Sequence, residues 1–346
     1  MFARSLAKAA AKPAFRPAAV TSVARATFTT SAKRFEPEVP VVSYGSGQRV
    51  EERLSVPHGQ SGPVNPPGGD QMKVAHPLGP NATQHLTPTL SKFTLSGKVA
   101  VITGGGRGLG YNMAQALAET GIRGIAILDV QEELGDNAAR ELSEQTGVDV
   151  RFYKVDVRDG AGINQTMQDI VDHYGALDVL INAAGIADSN IKAETYPHDK
   201  FRRLIDINIT GTFLVNQAVG NHMIASGKGG SIINIASMSG SIVNYPQEQS
   251  CYNTSKAGVI QMTKSLAAEW ARYKIRVNSI SPGYMDTALN RVPALEAQKQ
   301  IWVQNTPQKR LGDVDDLNNL AVYLASDGSA FMTGNNCIID GGYSLW

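Results

Sequence analysis

Between residues 98 and 340, short apolar runs alternate with longer segments whose apolar residues recur every three or four positions. The short runs read as buried strands, and the periodic segments read as helices with one face turned to a core. Strand and helix in regular turn leave little choice of architecture. A chain that reaches each new strand through a helical crossover lays its strands down in parallel, and the helices then cover both sheet faces. The expected fold class is therefore α/β, a single doubly wound parallel sheet with helices on both faces. Strands are expected at 98–103, 124–129, the segment through Val155, 179–182, 231–235, 276–280 and 337–340. Helices are expected through Met113, Leu117 and Ala118, and at 132–144, 163–174, 201–224, 252–272 and 317–325.

The 346 residues exceed what one such unit needs, and the excess lies in front. Residues 1–35 contain Arg4, Lys8, Lys12, Arg16, Arg25, Lys33 and Arg34, are rich in Ala, Ser and Thr, and carry no acid before Glu36. That is the composition of a mitochondrial transit peptide, which would deliver the chain to the matrix. A disordered basic tail is the competing reading. Residues 36–94 interleave prolines with glycine and polar residues, so a linker is expected there, disordered or draped over the folded part. The folded domain is expected at 95–346.

Removing the leader leaves 25 basic against 31 acidic residues and turns a formal charge of +1 into −6. This argues against a nucleic-acid surface, which wants clustered Lys and Arg. Cys251 and Cys337 are the only cysteines, and no short spacing with histidine suggests ligands, so neither a disulfide framework nor a metal is expected. No apolar run reaches the ~18 residues of a membrane-spanning helix.

Gly104, Gly108 and Gly110 fall within Thr103-Gly104-Gly105-Gly106-Arg107-Gly108-Leu109-Gly110, between an expected strand and an expected helix. Absent side chains let the backbone approach a pyrophosphate and aim helix N-terminal amides at it, although a purely structural turn has the same composition. Asp129 ends the second strand nineteen residues after Gly110, where a carboxylate accepts ribose hydroxyls and repels a 2′-phosphate. The expected cofactor is NAD. NADP stays open because Arg107, inside the turn, could pair with such a phosphate. Asp156, followed by Val157, comes after the third strand, either at an adenine position or as a helix cap. Asn182-Ala183-Ala184-Gly185 ends the fourth strand at the sheet rim, where small residues leave room for a ligand.

Tyr252 and Lys256 lie four apart on an expected helix and so share a face. An ammonium beside a phenol favours the phenolate; a depression of roughly three units from ~10 corresponds to about 4 kcal/mol. Such a phenol works near neutral pH as acid or base. With Ser237 upstream, the set reads as hydride-transfer chemistry.

These residues together resemble the classical short-chain dehydrogenase/reductase family. The matching elements are the turn at 103–110, Asn182-Ala183-Ala184-Gly185, Asn208, Ser237, Tyr252-x-x-x-Lys256, Pro282-Gly283 and Asp340-Gly341-Gly342. The resemblance covers residues 95–346 and implies a Rossmann sheet and a homotetramer. It makes Tyr252 the acid or base and gives Lys256 the nicotinamide ribose. Ser237 would meet the substrate oxygen, with Ser239 two residues away as an alternative. Asn208 would anchor a water chain from Lys256, or serve only as a buried amide satisfying backbone. Pro282, Gly283 and Thr287 would lie along the nicotinamide, with Thr287 at its carboxamide. The region 284–305, with Met285, Leu289, Val292 and Trp302, would include a lid.

The stretch from Ser237 to Tyr252 is longer than in many relatives and contains Asn244-Tyr245-Pro246-Gln247-Glu248-Gln249. Its amides and Glu248 could meet the hydroxyls of a sugar alcohol; a plain solvated loop is the alternative. Together with the ending at Trp346, it resembles the fungal polyol dehydrogenases and ketose reductases of the family. That implies a polyol or ketose substrate, with oxidation of D-arabinitol to D-ribulose foremost and a mannitol or L-xylulose activity next. A 3-oxoacyl carrier-protein reductase and a non-catalytic scaffold of the same fold are the other readings.

Overall fold

The computed structural model describes residues 38–45, 48–55, 74–79, 81–188, 190–287, 290 and 295–346, the first two stretches as backbone alone. The leader at 1–35, and Leu289 and Val292 of the expected lid, lie outside the described residues. The chain divides into two units, 1–60 and 61–346.

In the first unit, β1 (Glu38–Gly45) pairs antiparallel with β2 (Gln48–Ser55), from Glu38 opposite Ser55 to Gly45 opposite Gln48. Part of the stretch expected as a linker is therefore a hairpin. Another part, residues 74–79 and 81–94, belongs to the second unit. The Ala75 side chain is buried, and the backbone amides of Ala75 and His76 donate to Gln145 Oε1 and Glu119 Oε1 at 2.9 and 3.0 Å. A short α1 (Pro88–Ser91) follows, capped by the Thr87 hydroxyl, which accepts from Leu90 N. These polar anchors come from helices far along the chain, so composition alone did not reveal them.

The second unit is built on β3 (Val99–Thr103), β4 (Gly124–Asp129), β5 (Asp149–Lys154), β6 (Val179–Asn182), β7 (Gly230–Ile235), β8 (Ile275–Pro282) and β9 (Asn336–Ile339). They form one sheet in the order β5-β4-β3-β6-β7-β8-β9, with every pairing parallel. The intervening helices are α2 (Gly108–Glu119), α3 (Glu132–Thr146), α4 (Gly160–Tyr174), α5 (His198–Ile205), α6 (Thr212–Ser226), α7 (Ser250–Trp270), α8 (Glu296–Asn305) and α9 (Asn318–Ala325).

Alternate residues of one strand feed opposite cores. Ala100 and Ile102 pack with Tyr111, Leu117 and Leu324, whereas Val99 and Val101 pack with Met167, Val219 and Leu266. This double burial explains why the strands read as continuous apolar runs. The chain winds outward from β3 through β4 to β5, then returns to β6 on the other side of β3. Reversal there opens a crevice at the C-terminal ends of β3 and β6, the position where sheets of this kind take ligands.

One expected helix is not uniform. Where the sequence reads as a single helix at 201–224, α5 and α6 are joined by a π-helical turn, Asp206–Gly211. Apolar periodicity does not report such a local change of hydrogen-bond register, which is often found at functional sites.

Candidate active site

The crevice is lined from both halves of the sheet. On its first side the glycine turn leaves β3, and Gly104 N and Gly105 N both hydrogen-bond Leu128 O, at 2.8 and 3.4 Å. Gly110, in the first turn of α2, is pressed against that loop, since a Cβ there would stand 2.3 Å from Gly104 O. The helix start and the loop are thus in backbone contact, and only glycine permits it. Leu109, in the first turn of α2, is half-buried against the core, and Arg107 is exposed.

Asp129, at the end of β4, binds the same turn. Its Oδ2 accepts from Gly106 N at 3.2 Å and its Oδ1 from Gln131 N at 3.0 Å, leaving the half-buried carboxylate fixed at the crevice edge. Asp156 is held by Arg158, whose guanidinium and backbone amide both donate to it and keep its carboxyl below the usual range. The helix-cap reading belongs to Asp159 instead, which accepts from Ala161 N and Gly162 N at 3.1 and 3.0 Å. Val157 is buried against Gly211 of the π turn.

Thr103 and Asn182 stand side by side in the register of β3 and β6. Thr103 Oγ1 donates to Asn182 Oδ1 at 2.8 Å and accepts from Ala183 N and Ala184 N at 3.1 Å, while Asn182 Nδ2 donates to Thr212 O at 3.0 Å. Their side chains are spent joining the two halves of the rim. Asn208, in the π turn, exchanges two 2.9 Å hydrogen bonds with the backbone of Ile186 and donates to Ser255 Oγ at 3.1 Å. Its side-chain amide is thus occupied by the Ile186 backbone and Ser255.

On the other side, Ser237 follows β7, and α7 carries Tyr252 and Lys256 on one face. Lys256 Nζ lies 5.7 Å from the centroid of the Tyr252 ring and donates to Ile235 O at 2.8 Å. The Ser237 hydroxyl lies on the same side of the site and draws the Tyr252 phenol partly down. A Cβ on Gly185 would stand 3.6 Å from Lys256 Nζ and 3.2 Å from Asn208 Oδ1, so the rim and the catalytic candidates share one space.

The electrostatics run against the sequence expectation. Burial pushes the Tyr252 phenol up, with Ser237 pulling it partly back, and the same burial lowers the Lys256 ammonium to about 8. The ammonium is bonded to a main-chain carbonyl and stands off the ring, so desolvation dominates both groups.

The loop amides are another departure. Asn244, Gln247 and Gln249 are buried and hydrogen-bonded among themselves and to Tyr284, Trp302 and Ser239, so they do not form a solvated loop. Glu248 is exposed, and its carbonyl accepts from Ile191 N. Beyond β8, Gly283 N donates to Ile339 O, and Thr287 is half-buried with its amide on Met285 O. Tyr284 stacks on Trp302 of α8 at 4.1 Å, an aromatic pair the sequence reading missed. No local spacing in the sequence links Trp302 to Tyr284.

The cradle fits a dinucleotide: amides at the start of α2, a fixed carboxylate nineteen residues on, and small residues along the rim. Among the described residues no group of three or more His, Cys, Asp or Glu could hold a metal ion, and no helix is long and apolar enough to cross a membrane.

Comparison with known proteins agrees with this geometry. Residues 104–344 match the family described as Enoyl-(Acyl carrier protein) reductase. D-arabinitol 2-dehydrogenase [ribulose-forming] of Scheffersomyces stipitis is 39% identical over 269 residues, covering 73% of this chain and 96% of that protein. The NADP-dependent mannitol dehydrogenase of Alternaria alternata is 39% identical over 269 residues, covering 77% and 99%. The crystal structure of NAD+-bound xylitol dehydrogenase superimposes with a TM-score of 0.67 at 36% identity, covering 72% of this chain and 99% of that one. The chain belongs to the short-chain dehydrogenase/reductase family. It is an oxidoreductase that works with a nicotinamide cofactor.

Proposed function

We propose that this chain is a polyol dehydrogenase that moves hydride between C2 of a pentitol and NAD, with D-arabinitol as the first substrate and D-ribulose as its product. The observation that carries the reading is the convergence of Ser237, Tyr252 and Lys256 beside the glycine cradle. Relatives named for polyols support the substrate class.

A bound nicotinamide supplies or accepts the hydride. The amides of α2 and the rim at 182–185 would hold the dinucleotide, with Asp129 at the ribose hydroxyls. In oxidation the Tyr252 phenolate takes the hydroxyl proton, and in reduction the phenol returns it. Ser237 donates to the substrate oxygen and stabilises the charge that develops there. Lys256, buried beside the ring, holds a cation near the phenol and favours its ionised form once the local field allows.

NADP is the second cofactor reading, supported by exposed Arg107 in the turn and by the NADP-dependent relative. A carrier-protein reductase is the second substrate reading, supported by the description of the matched family. One panel separates them: reduction of NAD and NADP with D-arabinitol, D-mannitol, xylitol and L-arabinitol, identification of the ketose, and the reverse assay with a 3-oxoacyl thioester. Turnover of the thioester alone would overturn the polyol reading. We infer also that residues 1–35 direct the chain to the mitochondrial matrix and that it works as a homotetramer. A fluorescent fusion that stays cytosolic, or light scattering at the mass of a monomer, would refute these in turn.

A further inference from the structure

The buried amides between Ser237 and Tyr252 form a chain of hydrogen bonds whose direction is fixed at its far end. Trp302 Nε1 can only donate, and it donates to Gln247 Oε1 at 3.0 Å. Gln247 must then present its nitrogen to Tyr284 Oη, 2.8 Å away. Tyr343 OH gives its own proton to Tyr245 O at 3.1 Å, and its ring stands edge-on to that of Tyr284 at 5.0 Å. Tyr284 Oη also accepts from Asn244 Nδ2 at 2.9 Å, which turns Asn244 Oδ1 toward Gln249 Nε2 at 2.8 Å. The same nitrogen faces Asn253 Oδ1 at 2.9 Å and Ser239 Oγ at 3.2 Å. An amide nitrogen accepts nothing, so the Ser239 proton cannot point at it. Its neighbour on the other side is Ser237 Oγ, 3.1 Å away, which also receives Ser239 N–H at 3.2 Å.

We propose that Gln249 and Ser239 are positioning residues that commit Ser237 to be a donor. Ser239 donates into Ser237 Oγ, whose lone pairs are thereby occupied, and the Ser237 proton points to the Tyr252 phenol and to the substrate oxygen beside it. Amides that the sequence offers as substrate contacts instead set the polarity of one catalytic hydroxyl. No bond is made or broken by the relay. It rests on the reading of Ser237 and Tyr252 given above.

The test uses the full-length enzyme with D-arabinitol and NAD, or the polyol of the panel that turns over fastest. Ser239→Ala should lower kcat by about tenfold with KM for NAD and the melting temperature nearly unchanged, and Ser239→Thr, which keeps the hydroxyl, should recover most of it. Because Ser237 lowers the Tyr252 pKa by donating to it, weakening that donation should move the oxidation pH profile of Ser239→Ala to higher pH. Gln249→Glu, measured where its carboxylate is ionised, should draw the Ser239 proton away and lower kcat further. In the Ser239→Ala background the same change should add little, since the effect travels through that hydroxyl. Wild-type kcat and pH profile in Ser239→Ala, or full additivity in the double variant, would overturn the relay. Tyr252→Phe runs beside them. If it is inactive while Ser239→Ala is normal, only the relay falls; if it is active, the underlying mechanism falls instead.

Discussion

Lys256 Nζ donates to the carbonyl oxygen of Ile235 across 2.8 Å, so the cation of the site is held by the last residue of β7 and not by the phenol one helical turn away. The bond ties α7 to the strand that delivers Ser237. It leaves the ammonium buried with one main-chain acceptor, and burial brings its pKa to about 8. A group in that position is kept at the expense of stability.

Lys256→Met should therefore be inactive and more stable at neutral pH. The unfolded lysine keeps its proton to about 10.5 and the folded one only to about 8, so the charged form costs the folded state on the order of 3 kcal/mol below pH 8. The cost fades between those two values as both states lose the proton. Melting curves across pH should show the variant ahead of wild type at pH 7, with the gap closing through the alkaline range. A wild type that melts higher at pH 7 would show that the Ile235 bond outweighs desolvation.

Tyr252→Phe should cut turnover by about 10²–10⁴-fold while NAD binding, followed by protein fluorescence, persists. The phenol itself should titrate above its ordinary value in the protein alone, because burial raises it. NAD, whose nicotinamide ring is cationic, should lower it. The difference in tyrosinate absorbance between wild type and Tyr252→Phe, with and without NAD, measures both. As the phenolate appears, polyol oxidation should rise with pH and ketose reduction should fall. An unchanged phenol titration on adding NAD would refute the electrostatic account.

The parts of the fold that could be read from the sequence are those whose signal is local. The apolar runs at 124–129 and 179–182 coincide with β4 and β6 because strands buried on both faces need an unbroken apolar stretch. Tyr252 and Lys256 share a face of α7 because a helix fixes the i, i+4 relation wherever it sits. The burial of the loop amides is not legible in the sequence because a distant partner leaves no local trace: Gln247 and Trp302 are 55 residues apart. The Lys256 field escaped for a similar reason. Spacing places the ammonium near the phenol, but only the fold reveals that Lys256 is buried beside a half-buried Tyr252 and that Ile235 O is the closer partner. Asp156 reads in the sequence as an adenine contact or a helix cap; the fold gives the cap of α4 to Asp159, while Arg158 holds Asp156.

Asp129→Ala should narrow the preference for NAD over NADP and raise KM for NAD. The carboxylate holds Gly106 N and Gln131 N, and in the function proposed above it also repels a 2′-phosphate. Asp129→Asn keeps an acceptor for one amide without the charge, so it should relax the preference with a smaller loss of NAD affinity. Steady-state kinetics with both cofactors separates these effects. A wild-type enzyme that already prefers NADP strongly would overturn the assignment.

The glycine cradle invites a comparison of two alanines two residues apart. Gly108 has φ of +59° but open space where its Cβ would go, so Gly108→Ala should lose only the cost of left-handed backbone, about 1–2 kcal/mol. Gly110 lies in the first turn of α2, and its Cβ would meet Gly104 O at 2.3 Å. Gly110→Ala must push α2 away from the loop, which costs at least about 1–3 kcal/mol and displaces the amides that would hold a pyrophosphate. Melting temperature and NAD affinity, measured on both variants, should therefore diverge. Gly108→Ala should be mildly destabilised with weakened but measurable binding, and Gly110→Ala should melt lower and lose NAD. Equal losses in the two would mean that backbone strain governs the turn, and the close-contact account of the cradle would fall.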